Sequence, residues 1–165
     1  MLNDINNIRI NRCKVLCLTT DSVDYHRSGY SRRGFTSARM WAQYGGNHRG
    51  ICFIFDKDCL ESVIQRELGA KGRIYSGKVI YSNNSNEVID ASTFNLDTVN
   101  RDGTENVLSK HIDLHSITLF FTKNPDWRDE REYRFVLHGE DKNPEFIPIK
   151  DCIKGMVLGT DFPDV

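Results

Sequence analysis

The strongest constraint on the fold is the segment Glu105–Thr122, which carries apolar residues on nearly every side. Those residues are Val107, Leu108, Ile112, Leu114, Ile117, Leu119, Phe120 and Phe121. A helix that is apolar around most of its circumference must be covered by other elements of the protein. The segment therefore predicts a long, largely buried helix, which Pro125 ends because proline cannot continue a helix.

Two further helices and several short apolar runs supply elements that can cover this helix. Asp56 or Asp58 can cap a helix that ends near Leu68 and has one apolar face. Thr36 or Ser37 can cap a shorter helix, which the glycine pair at 45–46 ends. The predicted strands are Cys13–Thr20, Gly50–Phe55, Arg73–Ser82, Glu132–His138, Phe146–Ile149 and Gly155–Gly159.

The connections between these elements favour an α+β fold. The polar segments Asp21–Gly34 and Asn83–Thr104 are expected to be mostly loop, the second with a short element around Val88–Phe94. Residues His138–Pro144 predict an antiparallel hairpin. We therefore expect one globular domain over residues 1–165, with a central mixed or antiparallel sheet that two or three helices flank.

Charge and hydropathy argue against two classes of partner. The chain of 165 residues has a formal net charge of -1, which provides no general attraction for nucleic acid or an anionic membrane. We expect neither a signal peptide nor a membrane-spanning segment. Basic residues do concentrate locally, where an anionic ligand would find them, at Arg27, Arg32, Arg33, Arg39 and Arg49.

The cysteines predict a reducing compartment. They are odd in number and scattered, and no Cys-x-x-Cys pair indicates a zinc site or a disulfide framework. We expect all of them to be reduced, buried thiols that pack as small hydrophobic side chains, which favours the cytoplasm. The cysteines are Cys13, Cys17, Cys52, Cys59 and Cys152.

Two segments carry most of the functional signal. The first is RMWAQYGGNHRGICF at residues 39–53, and the second is KNPDWRDEREYRF at residues 123–135. Each concentrates aromatic, basic or acidic side chains beside glycines or a turn, where an ordinary core segment would carry Leu, Val and Ile. Candidate functional residues are therefore sought in these two segments.

This ordered pair of segments resembles a large bacterial family of unknown function, of the domain-of-unknown-function 2971 type. Its members carry a Met-Trp-Ala-His-Tyr-type segment, a Gly-(Val/Ile)-Cys strand and a Lys…Trp…Glu-x-Glu-(Tyr/Trp)-Arg segment. The resemblance spans about residues 12–159 and departs from the pattern at Gln43, where members usually have His. Members also begin earlier and continue further, so the resemblance implies that this chain lacks the family's N-terminal and C-terminal extensions.

Glu130 and Glu132 are the candidate catalytic residues. Because they stand two residues apart at the entrance to a predicted strand, their carboxylates are expected on one side of the sheet, with Arg131 on the other. Two adjacent carboxylates raise the pKa of one of them, an arrangement that acid–base chemistry uses. The alternative is an ion pair between Glu132 and Arg134 at the sheet rim, with Glu130 in solvent.

The Glu-x-Glu also resembles the acidic motif of ADP-ribosyltransferases. In those enzymes an arginine holds the NAD pyrophosphate, a serine-containing strand shapes the nicotinamide pocket and the final glutamate stabilises the oxocarbenium ion. The resemblance implies NAD as cofactor, with Glu132 as the catalytic carboxylate and Glu130 as its helper. The chain departs from the pattern at Thr36 and Ser37, which here open a predicted helix.

The candidate substrate-binding residues are Arg39, Tyr44, His48, Arg49 and Arg134. Tyr44 and His48 flank two glycines, where the backbone can approach a ligand closely. His48 and Arg49 directly precede a strand, so their side chains at a sheet edge are suited to a nucleotide phosphate. Purely structural polar contacts are the alternative for these residues, as core packing is for Trp41.

We predict no metal site. His111 and His115 have the four-residue helical spacing that can bind zinc, but no third ligand or catalytic glutamate accompanies them. Lys123 beside the acidic pair resembles a nuclease grouping, but the strand-borne Asp and Glu-x-Lys of such a site are missing. Both histidines are expected to be ordinary helix residues.

Two functions from different classes remain open. One is a bacterial cytoplasmic enzyme of defence or toxin type that acts on a nucleotide such as NAD by ADP-ribosyl transfer or glycohydrolysis. The other is a non-catalytic module that binds a ligand or partner. Convergence of the candidate residues on one open pocket would favour the enzyme, whereas closed ion pairs would favour the module.

Overall fold

The computed structural model describes residues 12–22, 33–83 and 93–163. Most of the loop predicted after Asp21, most of the element predicted around Val88–Phe94, and the basic residues Arg27 and Arg32 lie outside these ranges. Within the described ranges, no helix has both the length and the apolar content that crossing a bilayer requires.

Helices and mainly antiparallel strands follow one another along the chain, which confirms the α+β class. Short 3-10 turns cover Gly34–Thr36, Pro125–Glu130 and Lys150–Cys152. The longer elements are β1 (Cys13–Thr19), α1 (Ala38–Tyr44), β2 (Ile51–Phe55), α2 (Lys57–Leu68), β3 (Gly72–Lys78), β4 (Ile80–Tyr81), α3 (Leu96–Asp102), α4 (Thr104–Phe121), β5 (Thr122–Lys123), β6 (Glu132–Gly139) and β7 (Ile153–Leu158).

A three-stranded antiparallel sheet in the order β1-β6-β3 forms the centre of the fold. β6 has a neighbour on both edges, and its residues Phe135, Val136 and Leu137 are buried. Because side chains alternate along a strand, the even-numbered residues of β6 face one side of the sheet and the odd-numbered residues face the other. β2 pairs antiparallel with β7, and β4 pairs parallel with β5.

α2 and α4 cover opposite faces of the central sheet. The odd-numbered residues of β6 pack on α2, in a buried cluster that includes Leu60, Ile64 and Phe135. The other face packs on α4, in a second cluster around Ile112 and Val136. Burial of each such side chain contributes about 1.5 to 3 kcal/mol, so these two clusters hold the helix–sheet–helix layers together.

α2 begins and ends where the sequence predicts. The Asp56 carboxylate accepts a hydrogen bond from the Cys59 backbone N–H at 3.0 Å and so caps the helix. The helix ends at Leu68, before Gly69. Its buried residues recur at helical spacing and form the apolar face that meets the sheet: Leu60, Val63, Ile64 and Leu68.

The strand predicted at Arg73–Ser82 is two strands in the structure. The break falls at Val79, whose backbone N–H donates to the carbonyl of Glu132 at 2.9 Å. β3 before the break pairs with β6, whereas β4 after it pairs with β5. The segment contains no proline at the break and is rich in strand-forming residues on both sides of it, so the sequence alone does not reveal the break.

Two other predictions are wrong, one for the segment before α4 and one for the segment after β6. The segment before Thr104, expected to be loop, contains α3, because the Asn95 side chain accepts hydrogen bonds from two backbone N–H groups and caps it. The segment Phe146–Ile149 is not a strand, and no hairpin follows His138. Ile147 and Ile149 instead pack against the α2 cluster as an irregular segment.

α4 confirms the long predicted helix, but it is not buried all round. Leu114 and Ile117 are exposed, whereas Leu108, Ile112 and Phe120 are buried. His115 has a non-helical backbone conformation, with φ of -109° and ψ of 16°, and interrupts the helix. The exposed pair therefore lies around the break, between the two buried halves of the helix.

The expectation of five reduced, buried thiols is wrong, because two of the cysteines form a disulfide and none of the other three is fully buried. Cys59 and Cys152 form a disulfide, with their Cα atoms 5.3 Å apart. The start of α2 packs against the 3-10 turn at Lys150–Cys152, which brings together two cysteines separated by 93 residues in sequence. Cys17 is a thiol on an exposed residue of β1.

Candidate functional site

The second sequence segment folds as a turn followed by a strand. Asn124 caps the 3-10 turn, Pro125 is its first residue, and Arg131 ends it in the left-handed conformation with φ of 46°. β6 begins only at Glu132, so Glu130 belongs to the turn and not to the strand. The expectation that strand alternation aligns the two carboxylates is therefore wrong, because the left-handed residue separates them.

Lys123 nevertheless brings both carboxylates together. Its Nζ lies 2.5 Å from Glu130 Oε2 and 3.5 Å from Glu132 Oε2. Glu130 and Glu132 are only 2% and 7% exposed, and they are the buried charged residues in the described part of the chain. The alternative in which Glu130 lies in solvent is wrong. Buried carboxylates need a cation, and Lys123 provides one to both.

Arg134 occupies both oxygens of Glu132. Its Nε lies 2.7 Å from Oε1 and its Nη2 lies 2.9 Å from Oε2, which is the bidentate geometry of a strong charge-assisted pair. Its Nη1 donates to the Phe120 carbonyl at 2.6 Å, in the last turn of α4. A cation at this position also satisfies a carbonyl that has no partner within the helix.

Contacts with three other elements complete the surroundings of the acidic pair. Tyr44, in α1, donates from its hydroxyl to Glu130 Oε1 at 3.0 Å although the residue is 61% exposed. The Glu132 backbone N–H donates to the Tyr81 hydroxyl at 2.9 Å. Cys17, on β1, lies opposite Arg134 in the strand register, where its thiol contributes to lowering the pKa of Glu132. These contacts fix the pair between α1, β1 and β4.

The electrostatics keep Glu132 ionised. Burial favours the neutral acid, but the hydrogen bonds from Arg134 and Cys17 and the charges of Arg134 and Lys123 outweigh it, so the pKa of Glu132 is lowered. Burial likewise opposes the charge on Lys123, yet the two carboxylates raise its pKa. Burial and the bond to Glu132 raise the pKa of Cys17 to about 11, so this thiol stays protonated.

Cation–π contacts to one indole ring link the first segment to the acidic pair. The guanidinium of Arg39 lies 5.1 Å and the ammonium of Lys123 lies 4.7 Å from the ring centre of Trp127. Arg39 Nη1 also donates to the Asp126 carbonyl at 3.1 Å. The two sequence segments therefore meet in one polar cluster, which we call the Lys123 network: Arg39, Tyr44, Lys123, Trp127, Glu130, Glu132 and Arg134.

His48 and Arg49 are not brought to this network. Among the described residues, no hydrogen bond, ion pair or ring contact joins either side chain to the acidic pair. His48 lies in the turn between α1 and β2 with a positive φ of 66°, and its carbonyl accepts from the Asp161 backbone N–H. Gly45 is required in this turn, because a Cβ there would lie 2.6 Å from the Trp41 ring.

The remaining candidates from the sequence have structural contacts. The His111 ring lies 4.2 Å from Phe94 and 4.4 Å from His115, measured between ring centres. The described ranges contain no group of three or more side chains arranged to hold a metal ion. Trp41 donates from its indole N–H to the Phe35 carbonyl at 2.7 Å and, like Trp127, lies outside both buried clusters.

The Lys123 network is a closed set of contacts. Every oxygen of the two carboxylates accepts from a described side chain, Glu130 from Tyr44 and Lys123, and Glu132 from Arg134. These hydrogen bonds stabilise the ionised form of each carboxylate in its present position.

A separate apolar cavity of about 360 Å³ lies between the central sheet and α2. Its walls come from β1, β3 and β6 on one side, from α2 on the other, and from the irregular segment 145–149 at the end. All but two of its lining residues are aliphatic or aromatic, the exceptions being Lys14 and Glu145. The volume is within the range of small-molecule pockets. No pattern in the sequence predicts this cavity, because its walls come from segments far apart in the chain.

Removal of the shared cation tests whether the network holds the fold. Lys123→Met leaves two buried carboxylates with one cation fewer, and we expect it to lower the free energy of unfolding by about 3 to 5 kcal/mol. Urea unfolding followed by circular dichroism measures this. Lys142→Met, at an exposed lysine, is the matched control. A loss below about 1 kcal/mol at Lys123, equal to the control, would contradict the role of the network.

Comparison with known proteins adds one match. No curated protein and no solved structure matches the chain. A family described as "Protein of unknown function (DUF2971)" matches residues 40–135, from the second residue of the first segment to the last residue of the second. This range is more than half of the 165 residues. The chain therefore belongs to the DUF2971 family of proteins of unknown function.

Proposed function

We propose that this protein is a non-catalytic binding module that holds a small apolar molecule between its central sheet and α2. The observation that carries the proposal is the cavity of about 360 Å³ with its nearly continuous aliphatic and aromatic lining. Transfer of an apolar molecule from water to such a surface is favourable by roughly 25 cal/mol per Å² buried. A pocket of this kind is the common form of a small-molecule site.

The state of the acidic pair supports a binding module over an enzyme. Each carboxylate oxygen of Glu130 and Glu132 already accepts a hydrogen bond from Tyr44, Lys123 or Arg134. The apolar cavity is not lined by the pair. In this proposal the Lys123 network holds α1, α4 and β6 in place, and the sheet face beneath α2 binds the ligand.

A neutral fluorescent probe tests the proposed site. We expect N-phenyl-1-naphthylamine to bind the wild-type protein with increased emission, because the cavity removes the dye from water. Leu16→Arg places a charge in the cavity wall at a residue that is 39% exposed, so the fold is retained. It should weaken dye binding about tenfold, or about 1.4 kcal/mol.

The matched control places the same charge on the other side of the molecule. Leu114→Arg lies on the exposed side of α4 and does not line the cavity. It should bind the dye as the wild type does, with both variants folded by circular dichroism. Equal binding by Leu16→Arg and wild type, or no binding by wild type, would refute the proposal.

We also propose a second function, that of a bacterial NAD-using enzyme in defence or toxin biology. The observation that favours it is the chain of contacts from the exposed Tyr44 to the buried Glu130 and, through Lys123, to Glu132. In such an enzyme Glu132 would stabilise the oxocarbenium ion, with substrate contacts from Arg39, Tyr44, His48, Arg49 and Arg134. The Cys59–Cys152 disulfide argues against the cytoplasm, where thiols are kept reduced.

NAD turnover tests the second function. If it is correct, purified protein consumes NAD and Glu132→Gln lowers the rate at least a hundredfold, because the amide cannot stabilise a developing cation. Glu61→Gln, on the surface of α2, is the control and should leave the rate unchanged. An absence of NAD consumption by the wild type, or an equal rate in Glu132→Gln, would exclude the enzymatic role.

A further inference from the structure

We propose that the ligand of the apolar cavity is an amphipathic carboxylate, an unbranched apolar chain whose terminal carboxylate binds the ammonium group of Lys14. The inference rests on the proposed binding function and names the ligand class for the same cavity. It is carried by the position of Lys14, whose ammonium group contacts a backbone carbonyl and no carboxylate, at one end of a lining in which the one other charged residue, Glu145, is paired with Lys71.

Lys14 belongs to the face of the sheet that forms the cavity. In the antiparallel register Lys14 lies opposite Leu137, and Leu137 lies opposite Ile74 on the other side of β6. All three residues line the cavity. Because β-strand side chains alternate, Leu16 and Leu18 follow Lys14 on the same face and continue the wall. The single cation therefore stands at one end of an apolar row.

The charge of Lys14 is not neutralised by direct contact with a carboxylate. Its Nζ donates to the backbone carbonyl of Asp141 at 2.5 Å, which is a neutral acceptor. The Asp141 side chain instead accepts from the backbone and side-chain N–H groups of Asn143, both at 2.9 Å. An ammonium group with a carbonyl partner keeps donors for a second acceptor, and an anion is the acceptor that its charge favours.

The one acidic residue in the cavity lining does not oppose a carboxylate ligand. Glu145 forms an ion pair with Lys71, with Nζ 2.5 Å from Oε2, and its side chain is largely covered. The pair places a compensating positive charge beside the negative one. Of the two charged residues in the lining, Lys14 therefore provides the net electrostatic attraction.

The length of the apolar row determines how long an alkyl chain the ligand can have. From Lys14 to Leu18 the strand advances four residues, or about 13 Å at 3.3 Å per residue. Helix residues Leu60, Ile64 and Leu68 form the opposite wall. Phe146 is highly exposed at the same end as Glu145, which leaves the polar end of the cavity next to solvent. A medium-length alkyl chain suits this space, with its carboxylate at the open end.

A pair of ligands that differ only in the end group tests the inference. Decanoate and 1-decanol are titrated against the wild-type protein by displacement of N-phenyl-1-naphthylamine, at a pH where decanoate is ionised. We expect decanoate to bind about tenfold more tightly than decanol. Lys14→Met, which keeps the length and apolar character of the stem, should remove this preference without weakening decanol binding.

A control and three outcomes separate this inference from the proposed function. Lys142→Met removes a cation from the neighbouring exposed segment and should leave the preference for decanoate intact. Binding of decanol with equal or weaker binding of decanoate overturns the carboxylate inference and leaves the apolar site standing. A preference that survives in Lys14→Met overturns the role of Lys14. Binding of neither compound overturns the apolar site itself.

Discussion

The ammonium group of Lys123 between Glu130 and Glu132 is the interaction on which the arrangement of the other elements depends. A buried carboxylate without a cation is costly, and the protein buries two of them side by side. With Lys123 between them, Tyr44 of α1 and Arg134 of β6 can each bond one carboxylate. The end of α4, the start of β6 and the surface helix α1 are thereby joined at one point.

This network explains why the two sequence segments occur together. Arg39 of the first segment and Lys123 of the second share the Trp127 ring, and Tyr44 reaches Glu130 across 86 residues of sequence. The family match covers both segments but names no activity. The proposed cavity lies on the other face of the central sheet, and of the two segments only the second reaches it, through Phe135.

Much of the fold could be predicted from the sequence where local chemistry decides it. The Asp56 cap and the periodic leucines and valine define α2, and the apolar run after Thr104 defines α4. Predictions were wrong where distant contacts decide the structure. Val79 breaks a strand because its N–H pairs with Glu132, and Cys59 meets Cys152 only after α2 packs on the last turn. Neither contact leaves a periodic signal in the sequence.

The candidate site could be predicted only in part, again because contacts between distant segments decide some of its structure. The pair of Glu132 and Arg134 follows from strand alternation and is present. The burial of Glu130 depends on the left-handed Arg131, a conformation rare for a residue with a side chain and invisible to a strand pattern. His48 and Arg49 carry suitable chemistry, but their turn lies against the segment that follows β7, where the His48 carbonyl accepts a hydrogen bond from the Asp161 backbone N–H. The cavity needs three separate walls, which no single segment encodes.

Titration of the Glu132 carboxyl carbon by NMR tests whether the acidic pair is an ionised, hydrogen-bonded part of the framework. The folded-state pKa should lie below that of a solvated glutamate, because Arg134, Cys17 and Lys123 outweigh burial. The resulting stabilisation is then present above the unfolded-state pKa and is lost as pH falls through the folded-state pKa. A pKa raised above that of a solvated glutamate, as a catalytic acid requires, would contradict the claim.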